Sequence, residues 1–552
     1  MKKAISILCT LAIALTLIAG CSSSDSVVPG FRRVPGEPSA AGTTQADSVL
    51  EVPLAPGSDG GIYASDVWAD GEGGVYGEDW RFHPIDETDE FAFALESPFK
   101  EVRTSPLSTF SASVDTASYS IMRRQIMNGS RPAGMRIEEL INYFDYDYPA
   151  PAPGSEHPFS INVEISPAPW APDHMLAKIG IQGKRLQNTE EIANNVVFLI
   201  DVSGSMNRPD RLPLVIESMK LLVGQLNDND RISIITYAGS DRVLADSVPG
   251  SEKDYLMQIL NGLRAEGSTS GARALRNAYD LAEKNFIEDG NNRIILATDG
   301  DFNVGESSVA DIIKLVEAER DRGIFISVLG YGMGNLKDTI MEAIATNGNG
   351  NYAYIDTIQE AKKVLVDEFD STMFTIAKDV KFQVEFNPAV VSAYRLIGYD
   401  TRRLENEDFN DDAKDAGDIG SGHNVTAFFE LIPVGIASDD NALVDPLRYS
   451  ETVATGSDDF MTVKIRYKEP TGDESRLIEH AVGPKAVRQY VSDNFKFASA
   501  VVEFGLIITD SRFMGDSSIE SVRSRAESAL GEDTFGLRTE FLDLVRRYER
   551  LR

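Results

Sequence analysis

Five oxygen-bearing side chains near the middle of the sequence have the types and spacing of a divalent-metal site. Asp201, Ser203 and Ser205 alternate directly after the apolar run VVFLI. Thr269 lies in GSTSG just before a predicted helix, and Asp299 follows another apolar run in ATDGD. Carboxylates and hydroxyls are hard donors, and no His or Cys belongs to the set. Such a ligand set selects Mg²⁺ or a similar hard cation.

The elements that must position these side chains are predicted strands of one parallel sheet. From Asn194 onward, apolar strands such as RISIITYA, RIILATD and IFISVLGYG alternate with helical segments such as RLPLVIESMKLLVGQL. This alternation is typical of a parallel sheet with both faces covered. Open sheets of this kind bind ligands beyond the carboxyl ends of their strands, where Asp201 and Asp299 are expected. We therefore predict an α/β fold with a central doubly wound, mostly parallel sheet over residues 193–372.

Both flanks of this unit show the alternating pattern of half-buried strands. Residues 96–192 are predicted to form two helices and then strands at 159–184, and strand patterns return from 379. Neither set alone offers enough strands for a stable sheet. We predict that the two sets pair into one β domain with 193–372 inserted, since the termini of compact domains often lie close together. The C-terminal region, 373–552, is predicted to end in helices, at 484–511, 518–530 and 537–551.

The N-terminus has the organisation of an export signal, with two lysines, an apolar run and then IAGC, which ends at Cys21. This ending resembles the lipobox of bacterial lipoproteins, in which the cysteine carries the lipid. The resemblance implies a signal peptide over 1–20 and a membrane lipid anchor at Cys21. No disulfide is expected, because one of the two cysteines lies within the signal. Ser22 implies sorting to the outer membrane if the host has two membranes.

Residues 21–95 have the composition of a flexible tether. The first part is rich in Ser, Pro, Gly and Ala without a sustained period. The later part carries Trp68 and Trp80 among acidic residues and glycines. These tryptophans are expected either to dock on a folded surface or to lie in a loosely packed linker, and both alternatives remain open.

The net charge of the chain disfavours nucleic acid as a partner. The 552 residues carry a formal net charge of −33, which opposes binding to nucleic acid because the phosphates would repel the protein. The apolar share of 42% and the charged share of 25% are those of a globular protein. Beyond the signal, no stretch is long and apolar enough to span a membrane.

The five candidate ligands, taken together, resemble the metal-ion-dependent adhesion site of von Willebrand factor type A (VWA) domains. The resemblance implies that Ser203, Ser205 and Thr269 contact Mg²⁺ or Mn²⁺, and that Asp201 and Asp299 coordinate it directly or through water. It also implies that a partner protein supplies an Asp or Glu carboxylate that completes the shell. The stretches at 108–149 and 407–434 resemble the flanking regions of a group of bacterial VWA lipoproteins, so that the resemblance covers most of the chain from 96 to 550.

An enzymatic use of the serines is an alternative interpretation, as is a degenerate sheet without metal. The strand-to-helix elbow Gly-x-Ser-x-Gly is absent, because Asp201 and Val202 precede Ser203. A Ser-His-Asp arrangement needs a histidine, and none lies within the α/β unit. The five histidines are His83, His157, His174, His423 and His480. We therefore predict that the protein is not an enzyme.

Four further features have structural interpretations. The acidic run 405–418 could hold calcium, but an EF-hand loop would need glycine where Ala413 stands, and solvated surface is favoured. His423 is predicted to be a structural hydrogen-bonding residue. Asp115 is predicted to cap the helix that follows it. The glycines at 330–335 lack the spacing of a nucleotide loop and predict a turn at the top of the sheet.

These observations predict a lipid-anchored protein of the cell envelope that binds an acidic protein partner through a metal-dependent site. A scaffold or assembly factor for envelope complexes, working with an ATPase partner, is the alternative. Capture that depends on Mg²⁺ would distinguish the first from the second.

Overall fold

The described part of the chain before Asn194 forms six strands and two α-helices. The computed structural model describes residues 81–84, 90–93, 96–187, 189–267, 271–300, 308–334, 336–436, 449, 456–472 and 474–552. Cys21, Trp68 and Trp80 lie outside these residues, and so does Thr269. The first elements are β1 (Arg81–Pro84), β2 (Glu90–Phe93), β3 (Lys100–Glu101), β4 (Leu107–Ser111), α1 (Ala117–Met127), α2 (Ile137–Asn142), β5 (Phe159–Ala168) and β6 (Ala171–Gly183).

The middle of the chain forms the predicted α/β unit. Its elements are β7 (Asn194–Asp201), α3 (Leu212–Gln225), β8 (Arg231–Ala238), β9 (Ser240–Pro249), α4 (Lys253–Gly262), α5 (Gly271–Lys284), β10 (Asn291–Thr298), α6 (Val309–Arg320), β11 (Ile324–Tyr331), α7 (Asp338–Asn347), β12 (Tyr352–Ile355), α8 (Ile358–Lys362) and α9 (Phe369–Met373). The strands form one sheet in the order β12-β11-β10-β7-β8-β9, and only the β8–β9 pair is antiparallel among the pairs described.

The central strand β7 explains why this sheet forms. All of its residues are buried. Val197 and Leu199 belong to the apolar cluster that includes α5, while Phe198 and Ile200 belong to the cluster that includes α3. Helices therefore cover both faces, and the prediction of a doubly wound, mostly parallel sheet is confirmed.

The chain after the α/β unit adds strands and then helices. These are β13 (Thr375–Phe386), β14 (Val391–Ile397), β15 (Gly417–Gly420), β16 (Asn424–Pro433), β17 (Met461–Lys468), β18 (Ser475–Val482), α10 (Asp493–Ile508), α11 (Ile519–Glu527) and α12 (Leu537–Leu551). The helix predicted from 484 begins only at Asp493, because the Ser492 hydroxyl accepts the backbone N–H of Phe495 and caps it there. No helix among the described residues is long and apolar enough to cross a membrane.

The strands on the two sides of the α/β unit form a shared β domain. Strand β6, before the unit, pairs antiparallel with β16, after it, in the sheet β3-β14-β16-β6-β5. A second sheet has the order β15-β13-β17-β18, with β4 paired to β13. Ile179 and Phe429 of the first sheet share one apolar cluster with Phe382 and Val463 of the second. The prediction that the two strand sets pair around an inserted module is confirmed.

Asp115 does not cap α1, and this prediction is wrong. Thr116 occupies the cap position and makes no side-chain cap bond. The Asp115 carboxylate instead contacts Nη2 of Arg402 at 2.7 Å and accepts the backbone N–H of Tyr352 at 2.9 Å. A buried carboxylate with a guanidinium in reach pairs with that charge, so Asp115 joins α1 to the α/β unit and to the β domain.

Two other interpreted features lie in the β domain. In the acidic run, Asp412 and Asp415 remain partly exposed and contact Arg466 and Arg320. His423 is half-buried, and its buried Nδ1 has no hydrogen-bond partner among the described residues, so its predicted hydrogen-bonding role is not met at that atom. Burial lowers the pKa of His423 to about 4, with the Lys363 charge acting in the same direction.

Candidate metal centre

The Asp-x-Ser-x-Ser segment forms a short turn at the carboxyl end of β7. Asp201 is the last residue of the strand and is fully buried. Its Oδ1 accepts the backbone N–H of Ser203 at 2.8 Å, and the hydroxyl oxygens of Ser203 and Ser205 lie 2.9 Å apart. The backbone N–H of Val202 donates to the carbonyl of Tyr237 on β8 at 3.1 Å. The neighbouring strand therefore holds the turn that carries the two hydroxyls.

Asp299 reaches the same edge of the sheet from β10. In the parallel pairing of β10 with β7, Ala297 lies opposite Ile200, so Asp299 directly follows the end of β10 beside Asp201, the last residue of β7. Asp299 is fully buried, and the hydroxyl of Thr298 lies 3.5 Å from Oδ2 of Asp201. The structure thus brings Asp201, Ser203, Ser205 and Asp299 together at the carboxyl end of the sheet.

The electrostatics of Asp201 fit a cation site. Burial raises the pKa of this carboxyl to about 7, and the nearby charge of Asp299 acts in the same direction. The hydrogen bonds from Ser203 oppose this shift. A divalent cation beside Asp201 would oppose this shift, because positive charge favours the ionised form of a buried carboxyl.

The described residues just before Thr269 contact the serine turn. The carbonyl of Gly267 accepts the backbone N–H of Gly204 at 3.0 Å, and the backbone N–H of Glu266 donates to the carbonyl of Val202 at 2.7 Å. Helix α5 begins at Gly271. Thr269 itself lies outside the described residues, so its place as a ligand stays a prediction.

One residue that contacts the candidate ligands was not identified from the sequence. Arg211 is almost fully buried, and its Nη1 contacts Oδ2 of Asp299 and donates to the carbonyl of Ser205 at 3.0 Å. Its Nη2 donates to the carbonyl of Met333 at 2.7 Å. The sequence offers only an arginine shortly after the motif, at the start of a predicted helix, and many such arginines are exposed.

The turn after β11 completes this edge of the sheet. Gly332 and Gly334 have φ angles of +70° and +98°. The carbonyl of Gly332 accepts the hydroxyl of Tyr354 at 2.9 Å. Gly332 and Gly334 therefore belong to the predicted turn at the top of the sheet.

The donor set fits Mg²⁺ or Mn²⁺. Asp201 and Asp299 supply carboxylate oxygens, Ser203 and Ser205 supply hydroxyls, and every candidate ligand is a hard oxygen donor. With the predicted ligand Thr269, this set would leave a coordination position for a group from another molecule. With a cation bound, such a set would offer a binding position for an oxygen ligand, carboxylate above all.

A second group of carboxylates does not resemble a metal site. Asp115, Glu139 and Glu342 are buried and lie close enough together to hold an ion. Each of them, however, contacts a guanidinium: Asp115 and Glu342 contact Arg402, and Glu139 and Glu342 contact Arg136. This cluster is therefore a network of ion pairs between segments of the chain.

Three family descriptions match successive parts of the chain. The family description "von Willebrand factor type A domain" matches residues 195–367, and "von Willebrand factor" matches residues 85–178. The description "Uncharacterized protein YfbK, C-terminal" matches residues 371–551. The chain is 42% identical to "Uncharacterized protein YfbK" of Escherichia coli (strain K12) over 464 residues, which cover 82% of this chain and 79% of the relative.

More distant similarities fall mainly on part of the chain. The inter-alpha-trypsin inhibitor heavy chain H4 of Sus scrofa is 28% identical over 206 residues, which cover 36% of this chain and 22% of that protein. A solved structure of an aerotolerance-related membrane protein from Bacteroides fragilis NCTC 9343 covers 32% of this chain and 97% of its own, with 22% identity and a TM-score of 0.27. A von Willebrand factor type A structure from Catenulispora acidiphila covers 72% of this chain and 91% of its own, with 14% identity and a TM-score of 0.40.

The identity to YfbK extends over most of both chains, and the central match coincides with the six-stranded sheet that carries the candidate metal ligands. The chain therefore belongs to the YfbK family and carries a von Willebrand factor type A domain at its centre.

Proposed function

We propose that this protein binds a protein partner through a divalent metal ion held by Asp201, Ser203, Ser205, Thr269 and Asp299. The observation that carries the proposal is the convergence of two carboxylates and two hydroxyls at the carboxyl end of the sheet. Mg²⁺ or Mn²⁺ fits these ligands. An Asp or Glu of the partner completes the coordination shell, and no chemical conversion is assigned to the site.

The net charge supports a metal-dependent mode of recognition. The chain carries a formal net charge of −33, so its long-range field opposes an acidic partner. A divalent cation at the sheet edge reverses the sign locally, where the partner carboxylate must approach. Binding of an acidic partner should therefore require the metal.

The proposed cellular setting is the cell envelope. Lipidation of Cys21 would anchor the chain to a membrane, with residues 21–95 as a tether between the anchor and the folded part. In a host with two membranes, Ser22 favours the outer membrane.

The test is capture of envelope proteins by the purified mature chain in Mg²⁺, followed by elution with a chelator. Asp299→Ala should lose the chelator-released partner, whereas the matched control at the exposed Asp254, Asp254→Ala, should retain it. The partner is then changed by Glu→Gln or Asp→Asn at single positions, and one such change should abolish binding. A partner that stays bound in chelator would place the interface elsewhere and contradict the proposal.

A further inference from the structure

A buried arginine contacts one of the two carboxylates of the candidate metal centre. We propose that Arg211 determines the specificity of this centre: it weakens binding of the divalent cation alone and strengthens binding of a carboxylate to the loaded site. This inference rests on the proposed function, since it concerns the same ligands. It adds a residue that the five-ligand pattern does not contain.

The guanidinium of Arg211 is held at three points. Its Nη1 contacts Asp299 and the carbonyl of Ser205, and its Nη2 contacts the carbonyl of Met333. These groups follow β10, β7 and β11, which are neighbours in the sheet. Arg211 therefore connects the carboxyl ends of three strands around the candidate centre.

The space for this side chain is provided by a glycine. A Cβ atom at Gly332 would lie 2.6 Å from Cγ of Arg211, well inside contact distance. The φ angle of Gly332, +70°, also favours glycine. Glycine at position 332 therefore leaves the space that the Arg211 side chain occupies at the sheet edge.

The residue before Arg211 is also fixed. The carboxylate of Asp210 contacts Nη2 of Arg124 on α1. Nη1 of Arg124 donates to the hydroxyl of Tyr354 at 2.8 Å, and that hydroxyl donates to the carbonyl of Gly332. Helix α1 therefore supports both the loop that carries Arg211 and the turn that makes room for it.

The charges of the centre give the direction of the effect. Two carboxylates and one guanidinium sum to −1; a divalent cation brings the sum to +1, and a partner carboxylate then brings it to zero. Without the guanidinium the corresponding sums are −2, zero and −1. Arg211 therefore disfavours the cation and favours the anionic ligand, because like charges repel and unlike charges attract across a few ångströms of buried protein.

This pattern differs from that of a purely structural residue. Loss of a residue that only maintains the fold of the turn would weaken cation binding and carboxylate binding together. Loss of Arg211 should change the two affinities in opposite directions. The opposite signs are the result that distinguishes the two roles.

The experiment measures binding of Mn²⁺ to the full mature chain by calorimetry and by electron paramagnetic resonance, first alone and then in sodium acetate. Chloride at equal ionic strength is the reference for acetate. In Arg211→Gln, affinity for Mn²⁺ alone should rise by about tenfold or more, since the charge that is removed lies within a few ångströms of the site. The gain in Mn²⁺ affinity that acetate gives the wild type should shrink. Arg211→Lys keeps the charge, so its Mn²⁺ affinity and its gain in acetate should equal those of the wild type.

Arg242→Gln is the matched control, because this arginine is 67% exposed on β9 and lies 3.8 Å from Glu266 in a surface pair. It should change neither affinity. Arg211→Met keeps the alkyl stem, is expected to behave as Arg211→Gln, and replaces it if circular dichroism shows that the Gln variant is unfolded. Weaker Mn²⁺ binding in a folded neutral variant overturns the inference. Equal Mn²⁺ binding by the wild type and Ser203→Ala overturns the proposed site instead, and no binding by any variant overturns both.

Discussion

Nη1 of Arg136 lies 2.6 Å from Oδ2 of Asp338, and both side chains are buried. Arg136 immediately precedes α2 in the N-terminal flank, whereas Asp338 is the first residue of α7 in the VWA domain. Arg136 also contacts Glu139 and, at 3.4 Å, Glu342. The inserted domain is thus joined to its flank by buried charges, and the two should unfold together.

The first prediction is that Arg136→Met destabilises the protein by about 3–5 kcal/mol, because it leaves buried carboxylates without their counterion. Urea unfolding followed by circular dichroism measures the change. Arg131→Met, at an exposed position of the same flank, should change the free energy of unfolding by no more than about 0.5 kcal/mol. A loss below about 1 kcal/mol for Arg136→Met would contradict the importance of the network for stability.

The second prediction concerns Glu138, which is buried on α2. Burial raises the pKa of this carboxyl from 4.5 to about 7, and the charges of Glu139 and Asp400 act in the same direction. A folded-state pKa above that of the unfolded chain contributes stability that is fully present below the unfolded value and is lost as pH rises through the folded value. The contribution of Glu138 should therefore decline between pH 4.5 and about pH 7.

Glu138→Gln removes this titration while keeping the shape of the side chain. Relative to the wild type, its free energy of unfolding should be similar at the acidic end of that window and higher above pH 7, by about 2–3 kcal/mol. Urea titrations at several pH values measure the difference. Glu479→Gln, at an exposed position of β18, should follow the wild type throughout. A constant difference between Glu138→Gln and the wild type at all pH values would show that Glu138 does not titrate in this window.

The third prediction compares two glycines in one turn. Gly332 and Gly334 both have positive φ, but a Cβ at Gly332 would meet Arg211 whereas a Cβ at Gly334 would have nothing within 4 Å. Both alanine variants should lose about 1 kcal/mol from backbone strain. Only Gly332→Ala should lose more and also alter Mn²⁺ affinity, because it displaces Arg211 from Asp299. Identical behaviour of the two variants in urea unfolding and Mn²⁺ titration would contradict the close packing of Arg211 on Gly332.

The fold of the VWA domain was predictable because its signal is local. The middle of β7, from Val196 to Ile200, is apolar, and such runs alternate with helical segments along the domain, which suffices to predict a parallel sheet with helices on both faces. The positions of Asp201 and Asp299 follow from the geometry of such a sheet, in which adjacent parallel strands end at one edge. The positions of Asp201 and Asp299 could therefore be predicted from the apolar strand residues next to them in the sequence.

Arg211 and Asp115 could not be placed in this way. Arg211 contacts Asp299, although several strands and helices separate them in the sequence. Asp115 contacts Arg402, although the whole inserted domain lies between them in the sequence. A polar residue beside a helix start predicts a cap or a solvated side chain from its local pattern. Which charge it meets depends on the packing of distant segments, and that information is not present in the spacing of one motif.

The fourth prediction is that Cys21→Ser abolishes attachment of the mature chain to membranes. The expected product is a soluble chain or an unprocessed precursor without incorporated lipid, because the thiol is the proposed site of acylation. Fractionation of cells grown with labelled fatty acid measures both properties. Membrane association of a processed Cys21→Ser chain would reveal a second anchor.

The last prediction concerns the effect of Mg²⁺ on stability. A ligand that binds only the folded state stabilises it by mass action, by about 2.7 kcal/mol when its concentration is one hundred times its dissociation constant. Mg²⁺ should therefore raise the urea midpoint of the wild type, and a chelator should reverse the change. Ser203→Ala removes one hydroxyl donor from the turn and should lose most of this increment, while its stability in chelator stays close to that of the wild type. Ser251→Ala, at an exposed position before α4, should keep the full increment. If Mg²⁺ raised the urea midpoint of Ser203→Ala as much as that of the wild type, the ion would not use the Ser203 hydroxyl. The stabilising ion would then bind away from the end of β7 and not at the five predicted ligands.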